Sequence, residues 1–294
     1  MTDITLLDGG MGQELVHRSG DKPTPLWATR VMIDHPGMVA AIHRDYFEAG
    51  ATVATTNTYA IHRDRLIGTG LIDRFDGLIA TALDEAHRAT GGRPGARIAG
   101  SIGPLGASYR ADVAPPREEA VALFSESVRL IAPRADLILF ETIASVDQAE
   151  AALTAGRTQA KPVWLAVTVD DEDGSRLRSG EPLPALAHLT PDAWLANCSA
   201  PEAMTAALDS LAAFGKPFGA YANGFREITK AFLGAKPTVD ALSAREDMTP
   251  ERYADFAMTW VAHGATIVGG CCETGPAHIR AIADRLRADG HTIV

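Results

Sequence analysis

Eight short runs rich in Val, Ile and Leu recur along the chain: "ITLLDGG" (4–10), "TVATTNTY" (52–59), "ARIAGSIGP" (96–104), "DLILFETI" (136–143), "PVWLAVTV" (162–169), "AWLANCS" (193–199), "PFGAYAN" (217–223) and "TIVGGCC" (266–272). Between them lie stretches whose apolar residues come at three- and four-residue spacing, at 36–49, 71–90, 117–132, 146–158, 201–214, 250–263 and 277–288. Ala120, Leu123, Phe124, Val128 and Ile131 show the helical period plainly. Continuously apolar strands alternating with amphipathic helices predict a parallel sheet covered on both faces. Eight such units within 294 residues predict one domain over 1–294, a closed (β/α)8 TIM barrel with its site at the C-terminal ends of the strands. The competing open, doubly wound sheet lacks support, because no G-x-G-x-x-G follows the first strand. Only the fifth connection breaks the rhythm: 171–190 reads as a polar loop with a short helix at most. Two further connections, 105–116 and 224–249, are long and sit after strand C-termini, where loops serve either as lids or as plain insertions.

Composition removes several function classes. A net charge of −10, with no clustered Lys or Arg, argues against a nucleic-acid partner. No apolar run approaches the roughly 20 residues of a membrane span, and the opening "MTDITLLDGG" lacks a signal-peptide pattern. With three cysteines and no mark of export, a reducing cytoplasm is the expected setting, where clustered thiols point to metal or catalysis before disulfides.

In a barrel the unusual polar residues all fall at strand ends: Asp8, Thr55 to Asn57, Ser101, Glu141, Cys198, Asn223 and the pair Cys271–Cys272. Neighbouring side chains within a strand face opposite ways, so both vicinal thiols reach one ion only beyond the strand end, where Gly269 and Gly270 would free the backbone. Cys198 could then complete a three-thiolate site with one open position, the arrangement of a catalytic rather than a structural zinc. Two plainer readings stay open at this level. A lone Cys198 is often core filler, and an adjacent pair can be a redox switch.

The chain resembles the homocysteine S-methyltransferase family over nearly its whole length. The resemblance is carried by "LLDGGMGQEL", "PLW" (25–27), "EAGATVATTNTY" (48–59), "AGSIGPLGA" (99–107), "FETI" (140–143), "NCSAP" (197–201) and "GATIVGGCCETGPAHI" (264–279). It implies that Cys198, Cys271 and Cys272 hold zinc, and it implies the same barrel. It further implies transfer of a methyl group from a cationic donor to the thiol of homocysteine, forming methionine. Asp8 and Glu141 are then the candidates for the substrate ammonium, and Gly9 and Gly10 for backbone contact with its carboxylate. Asn57 and Asn223 are weaker candidates, since asparagine at a strand end often fixes a loop. Trp27 and Tyr59 are candidates for the donor's positive charge through their rings.

Free thiols titrate near ~8.5, so a substrate thiol needs a cation to become a nucleophile at neutral pH. S-methylmethionine, S-adenosylmethionine, a betaine and a thetin-like sulfonium all fit a cationic donor. A sulfonium donor releases its methyl group more readily than a quaternary ammonium, and compact stand-alone members of the family resemble the S-methylmethionine users; together these favour S-methylmethionine. The segments "ADVAPPREEA" (111–120) and "YANGF" (221–225) depart from the family pattern at loops expected to shape the donor pocket. Two alternatives remain: the homocysteine-activating half of a split cobalamin-dependent methionine synthase, and a non-catalytic zinc or redox sensor.

Overall fold

Each of the eight apolar runs forms a strand: β1 (Asp3–Leu6), β2 (Val53–Thr55), β3 (Arg97–Ile102), β4 (Leu137–Ile143), β5 (Val163–Val167), β6 (Ala193–Asn197), β7 (Phe218–Tyr221) and β8 (Ile267–Val268). A ninth, β9 (Thr292–Ile293), has no counterpart in the sequence expectations. The computed structural model describes residues 1–21, 26–226, 228, 233 and 243–294. All strand pairings are parallel, in the order β2-β3-β4-β5-β6-β7-β8-β1-β9. The ring closes between β1 and β2 through a parallel bridge from Leu7 to Val53 and a 2.8 Å bond from Thr52 N to Leu6 O. Strand β9 pairs with the start of β1, Asp3 to Thr292 and Ile4 to Ile293, at the end of the barrel away from the mouth.

Two apolar layers follow from the period of two in the strands. Val53, Ala99, Leu137, Leu139, Trp164, Ala166, Leu195 and Ile267 pack with one another inside the ring. Their sequence neighbours Ile98, Ile138, Phe140, Leu165, Trp194 and Val268 pack outward against the helices. Glycine is required where elements nearly touch: a Cβ on Gly219 would lie 1.7 Å from Ile267 O, on the neighbouring strand β8.

The expected helices appear at Met38–Ala49, Phe75–Thr90, Arg117–Ile131, Val146–Gly156, Met204–Ala212, Pro250–Ala262 and Pro276–Ala288. Three more, Met11–Ser19, Trp27–Asp34 and the single turn Arg63–Leu66, were not expected. The fifth connection carries only a 3-10 turn, Leu183–Leu186, plus the bridges Val169–Leu177 and Arg176–Pro182, as its polar composition implied. Most of the long 224–249 connection, and with it the lid reading, lies outside the described residues. No described helix is long and apolar enough to cross a membrane.

Tyr253, on the helix Pro250–Ala262, is fully buried and points its hydroxyl at Ala222 O (2.9 Å) and Gly269 O (3.0 Å). It thereby ties the ends of β7 and β8 together behind the mouth. Removing that donor takes the hydroxyl from the buried Gly269 carbonyl, while Ala222 O keeps the amide of Cys271. Tyr253→Phe should cost about 1–2 kcal/mol in equilibrium urea unfolding; an unchanged midpoint and slope would show that the bridge carries no load.

Candidate active site and metal centre

The peptide between β7 and its following loop organises the cysteines. Cys198 N donates to Tyr221 O (3.1 Å), and Cys271 N donates to Ala222 O (3.0 Å). Consecutive carbonyls of a strand point to opposite sides, so β7 holds the end of β6 on one flank and the end of β8 on the other. The three Sγ atoms lie within 4.8 Å of one another. Cys198 Sγ is 2.9 Å from Cys271 Sγ and 3.8 Å from Cys272 Sγ. Zinc–sulfur bonds of ~2.3 Å at a tetrahedral angle would set sulfurs about 3.8 Å apart, so the trio has the dimensions of a single ion's ligand set.

Proton affinities also fit a cation. Hydrogen bonds from Cys271, Cys272 and Tyr109 push the Cys198 thiol well below its ordinary range, against the cost of its burial. The same contacts to Cys198, together with burial, push the Cys271 and Cys272 thiols up. Were all three ionised at this spacing they would need a positive charge among them, which a bound cation would supply.

The backbone pays for this arrangement at the mouth. Among the described residues four non-glycine positions adopt left-handed φ: Tyr109 (65°), Thr142 (59°), Cys198 (52°) and Glu273 (62°). Each costs on the order of 1–3 kcal/mol unless its surroundings hold it there. Thr142 follows Glu141, Cys198 follows Asn197, and the two pairs are clamped: Thr142 N donates to Asn197 Oδ1 (2.9 Å) and Asn197 Nδ2 donates to Thr142 Oγ1 (3.1 Å). Glu273 turns the chain directly after Cys272. Gly269 and Gly270 do not take left-handed φ, which corrects the expectation that they free the backbone. They are small because a Cβ on Gly269 would lie 2.6 Å from Leu7 Cβ, and one on Gly270 2.0 Å from Thr274 Oγ1.

A cavity of about 110 Å³ opens onto all three cysteines. One water needs roughly 10–15 Å³ on that measure, so a molecule of amino-acid size fits. Asp8, Gly9, Gly10, Asn57, Tyr59, Glu141, Cys198, Cys271 and Cys272 all line it. Its described lining contains no Lys, Arg or His.

Asp8 is buried and accepts from Thr55 N (2.7 Å) and Thr55 Oγ1 (2.5 Å). Glu141 accepts from Tyr221 OH (2.8 Å) at one oxygen and from Ser101 Oγ at the other. Burial raises its pKa to about 7, opposed by those two hydrogen bonds and reinforced by the charges of Asp8 and Cys198. Burial and Glu141 keep Tyr221 well above the ordinary phenol range, so it remains a donor.

Other expected residues fare differently. Gly10 N already donates to Thr274 O (2.8 Å), and a Cβ on Gly10 would lie 2.6 Å from Cys271 O, so its smallness serves packing rather than an amide offered to substrate. Gly9 is similarly pressed, with Thr274 O 2.2 Å from where its Cβ would be. Asn223 is absent from the cavity lining; its Oδ1 accepts from Phe225 N (3.1 Å), which makes it a loop-fixing residue. Asn57 lines the cavity while donating to Ala28 O (3.2 Å). Tyr59 bonds Ser108 Oγ (2.8 Å), with Arg65 stacked on its ring at 5.7 Å. The side chain of Trp27 lies outside the described residues.

Sequence reasoning missed two tyrosines. Tyr109 OH sits 3.0 Å from Cys198 Sγ, and its ring is backed at 5.5 Å by Arg178, which is itself paired with Asp171 at 2.8 Å. Nothing in the local spacing of "GASYR" marks it. Tyr221 was findable, because alternation along β7 turns it into the barrel.

The family model described as homocysteine S-methyltransferase matches residues 5–286. The chain belongs to the homocysteine S-methyltransferase family. It is 31% identical to the homocysteine S-methyltransferase of Escherichia coli strain K12, over 96% of this chain and 95% of that one. It is 27% identical to homocysteine S-methyltransferase YbgG of Bacillus subtilis, over 97% and 95%. The crystal structure of the homocysteine methyltransferase MmuM from Escherichia coli in its metallated form superposes with a TM-score of 0.80 at 28% identity, covering 97% of this chain and 96% of that one.

Within this family site, Glu141 gives a pH signature. Its folded pKa of about 7 exceeds the ordinary 4.5, so between those values the folded protein holds a proton that the unfolded chain has lost. Stability from this group is therefore full below pH 4.5 and lost as pH rises through about 7. Urea unfolding of metal-free Glu141→Gln should show a shallower decline over that window than the unsubstituted protein. Parallel curves would place the carboxyl in a wetter setting than its burial implies.

Proposed function

We propose that this protein transfers a methyl group from a cationic donor, best a sulfonium such as S-methylmethionine, to the thiol of L-homocysteine, forming methionine, with zinc held by Cys198, Cys271 and Cys272. The observation that carries this reading is the meeting of three thiols with an amino-acid-sized cavity whose charged side chains are two carboxylates. Zinc suits an all-sulfur set with an open fourth position, and the Escherichia coli relative has a metallated form. When bound, zinc would keep the substrate sulfur as thiolate at neutral pH.

The chain's own residues do the rest. Asp8 and Glu141 would receive the substrate ammonium, whose charge would hold Glu141 ionised. Tyr221 and Ser101 fix both oxygens of Glu141, and Thr55 fixes Asp8, so neither carboxylate has to reorganise on binding. With no basic residue in the described lining, the cavity favours a donor that arrives positively charged. Tyr59 offers a ring to that charge.

In the reaction the homocysteine sulfur forms a bond to the methyl carbon as the donor's carbon–sulfur bond breaks. The electron pair returns to the donor sulfur, which leaves as a neutral thioether. Charge is annihilated in this step, so a buried, poorly solvated site assists it. A quaternary ammonium donor would release a tertiary amine, a poorer leaving group.

A donor panel tests the reading. Zinc-loaded protein with homocysteine should form methionine with S-methylmethionine, and a chelator that strips the metal should abolish turnover. Methionine formed from methylcobalamin alone would favour the split-synthase alternative. Failure with every donor, together with a reversible Cys271–Cys272 disulfide and no tightly held zinc, would favour the sensor.

A further inference from the structure

His43 lies on the inward face of the helix Met38–Ala49, directly behind the mouth, and is completely buried. Among the described residues neither ring nitrogen has a hydrogen-bond partner. Buried polar groups are almost always satisfied, so an exception at a site calls for a reason. The nearest ionisable neighbour is Asp8: His43 Nδ1 stands 3.6 Å from Asp8 Oδ2, just beyond hydrogen-bond reach. Asp8 Oδ2 already accepts from Thr55 N, and Oδ1 from Thr55 Oγ1. A carboxylate has about four acceptor positions, so room remains for the imidazole behind and the substrate in front.

The same helix supports the metal side of the mouth. Tyr46, one turn beyond His43, donates to Thr274 O (3.1 Å), the carbonyl that also accepts from Gly10 N. Helix Met38–Ala49 thus stands behind both the Asp8 arm and the turn that carries Cys271 and Cys272.

We propose that His43 is a positioning residue for homocysteine binding, its Nδ1–H closing onto Asp8 Oδ2 from behind when the substrate ammonium engages the other side of that carboxylate. The proposal rests on the reading of Asp8 as an ammonium receptor. His43 touches no substrate. It holds the orientation of the carboxylate that does, from behind a cavity whose described lining offers no imidazole or basic side chain of its own.

Substitutions that place an amide at different points of the ring separate this role from packing. In His43→Asn the amide nitrogen falls where Nδ1 lies, in His43→Gln it falls where Nε2 lies, and His43→Leu has none. With donor saturating, the KM for homocysteine should rise about tenfold in H43L and H43Q but stay within about threefold in H43N. The kcat, the donor KM and the zinc content should hold steady. Calorimetric titration with homocysteine alone should give the same ranking without any donor. An equal loss in all three variants, or none in H43L, would overturn the proposal. If H43L does not fold, the H43N and H43Q pair still decides. Unsubstituted protein that binds homocysteine but methylates it with no donor would sink the catalytic reading while leaving the His43 ranking measurable; protein that fails to bind homocysteine at all would sink both.

Discussion

The Tyr221–Ala222 peptide is the point on which the site hangs. The successive carbonyls of Tyr221 and Ala222 face opposite flanks of β7, one taking the amide of Cys198 and the other that of Cys271. No cysteine comes from β7 itself, yet without that strand between them the thiols of β6 and β8 would have no common register. The Tyr221 side chain turns from the same peptide into the cavity and grips Glu141 on β4. A single strand end therefore sets both the spacing of the sulfurs and the position of a carboxylate that faces them. Barrel closure is the condition for this, since only a ring brings β1, β4, β6 and β8 to one mouth.

That mouth concentrates unfavourable charge. Asp8, Glu141 and three thiols share a cavity with no basic residue in its described lining, and an apolar interior cannot hold several anions unpaired. The protein moderates the cost in two visible ways. Glu141 keeps a proton up to about pH 7, and the thiol hydrogen bonds favour ionising Cys198 while holding its two partners back. Both are holding arrangements that binding of cations would relieve. Left-handed φ at Tyr109, Thr142, Cys198 and Glu273 belongs to the same design. Such strain survives where clamps such as Asn197–Thr142 over-determine the backbone, and Tyr109, Thr142 and Cys198 all line the one cavity.

Much of this was legible in the residues. Apolar runs alternating with helical stretches specified all eight barrel strands, because buried parallel strands read as near-continuous Val, Ile and Leu. Period-two alternation extends Leu137 and Leu139 to Glu141, and Ala99 to Ser101, so the inward side chains at the mouth could be read ahead of the structure. Other features left no local trace. Helix Met11–Ser19 buries only Met11, Gln13 and Leu15, too thin a stripe to show a period. Strand β9 is two residues long and owes its existence to the free edge at the start of β1. The smallness of Gly269 and Gly270 was visible, but its causes were not: Gly269 is crowded by Leu7 from across more than 250 residues of chain, and Gly270 by Thr274, which a turn four residues on folds back over it. Tyr109 and His43 belong to the same class: each matters through a partner about 90 or 35 positions away, and pattern along the chain carries no such information.

The distribution of partners explains how one barrel can separate two tasks. The nucleophile side is built from backbone: Cys198 and Cys271 are placed by main-chain hydrogen bonds to β7, and the turn after Cys272 by a left-handed residue. Backbone placement is stiff and indifferent to which side chains line the rest of the mouth. The carboxylate side is built from side chains, Thr55 on Asp8 and Tyr221 with Ser101 on Glu141, each a rotamer that a neighbour can change. Of the segments that depart from the family pattern, 221–225 contains Tyr221 and Ala222 themselves, and their carbonyls still take the amides of Cys198 and Cys271, so the departure leaves the main-chain hold on the sulfurs in place. Side chains around the two carboxylates can therefore change while the sulfur trio stays in register, because Cys198 and Cys271 are held by the main chain of β7 and not by those side chains.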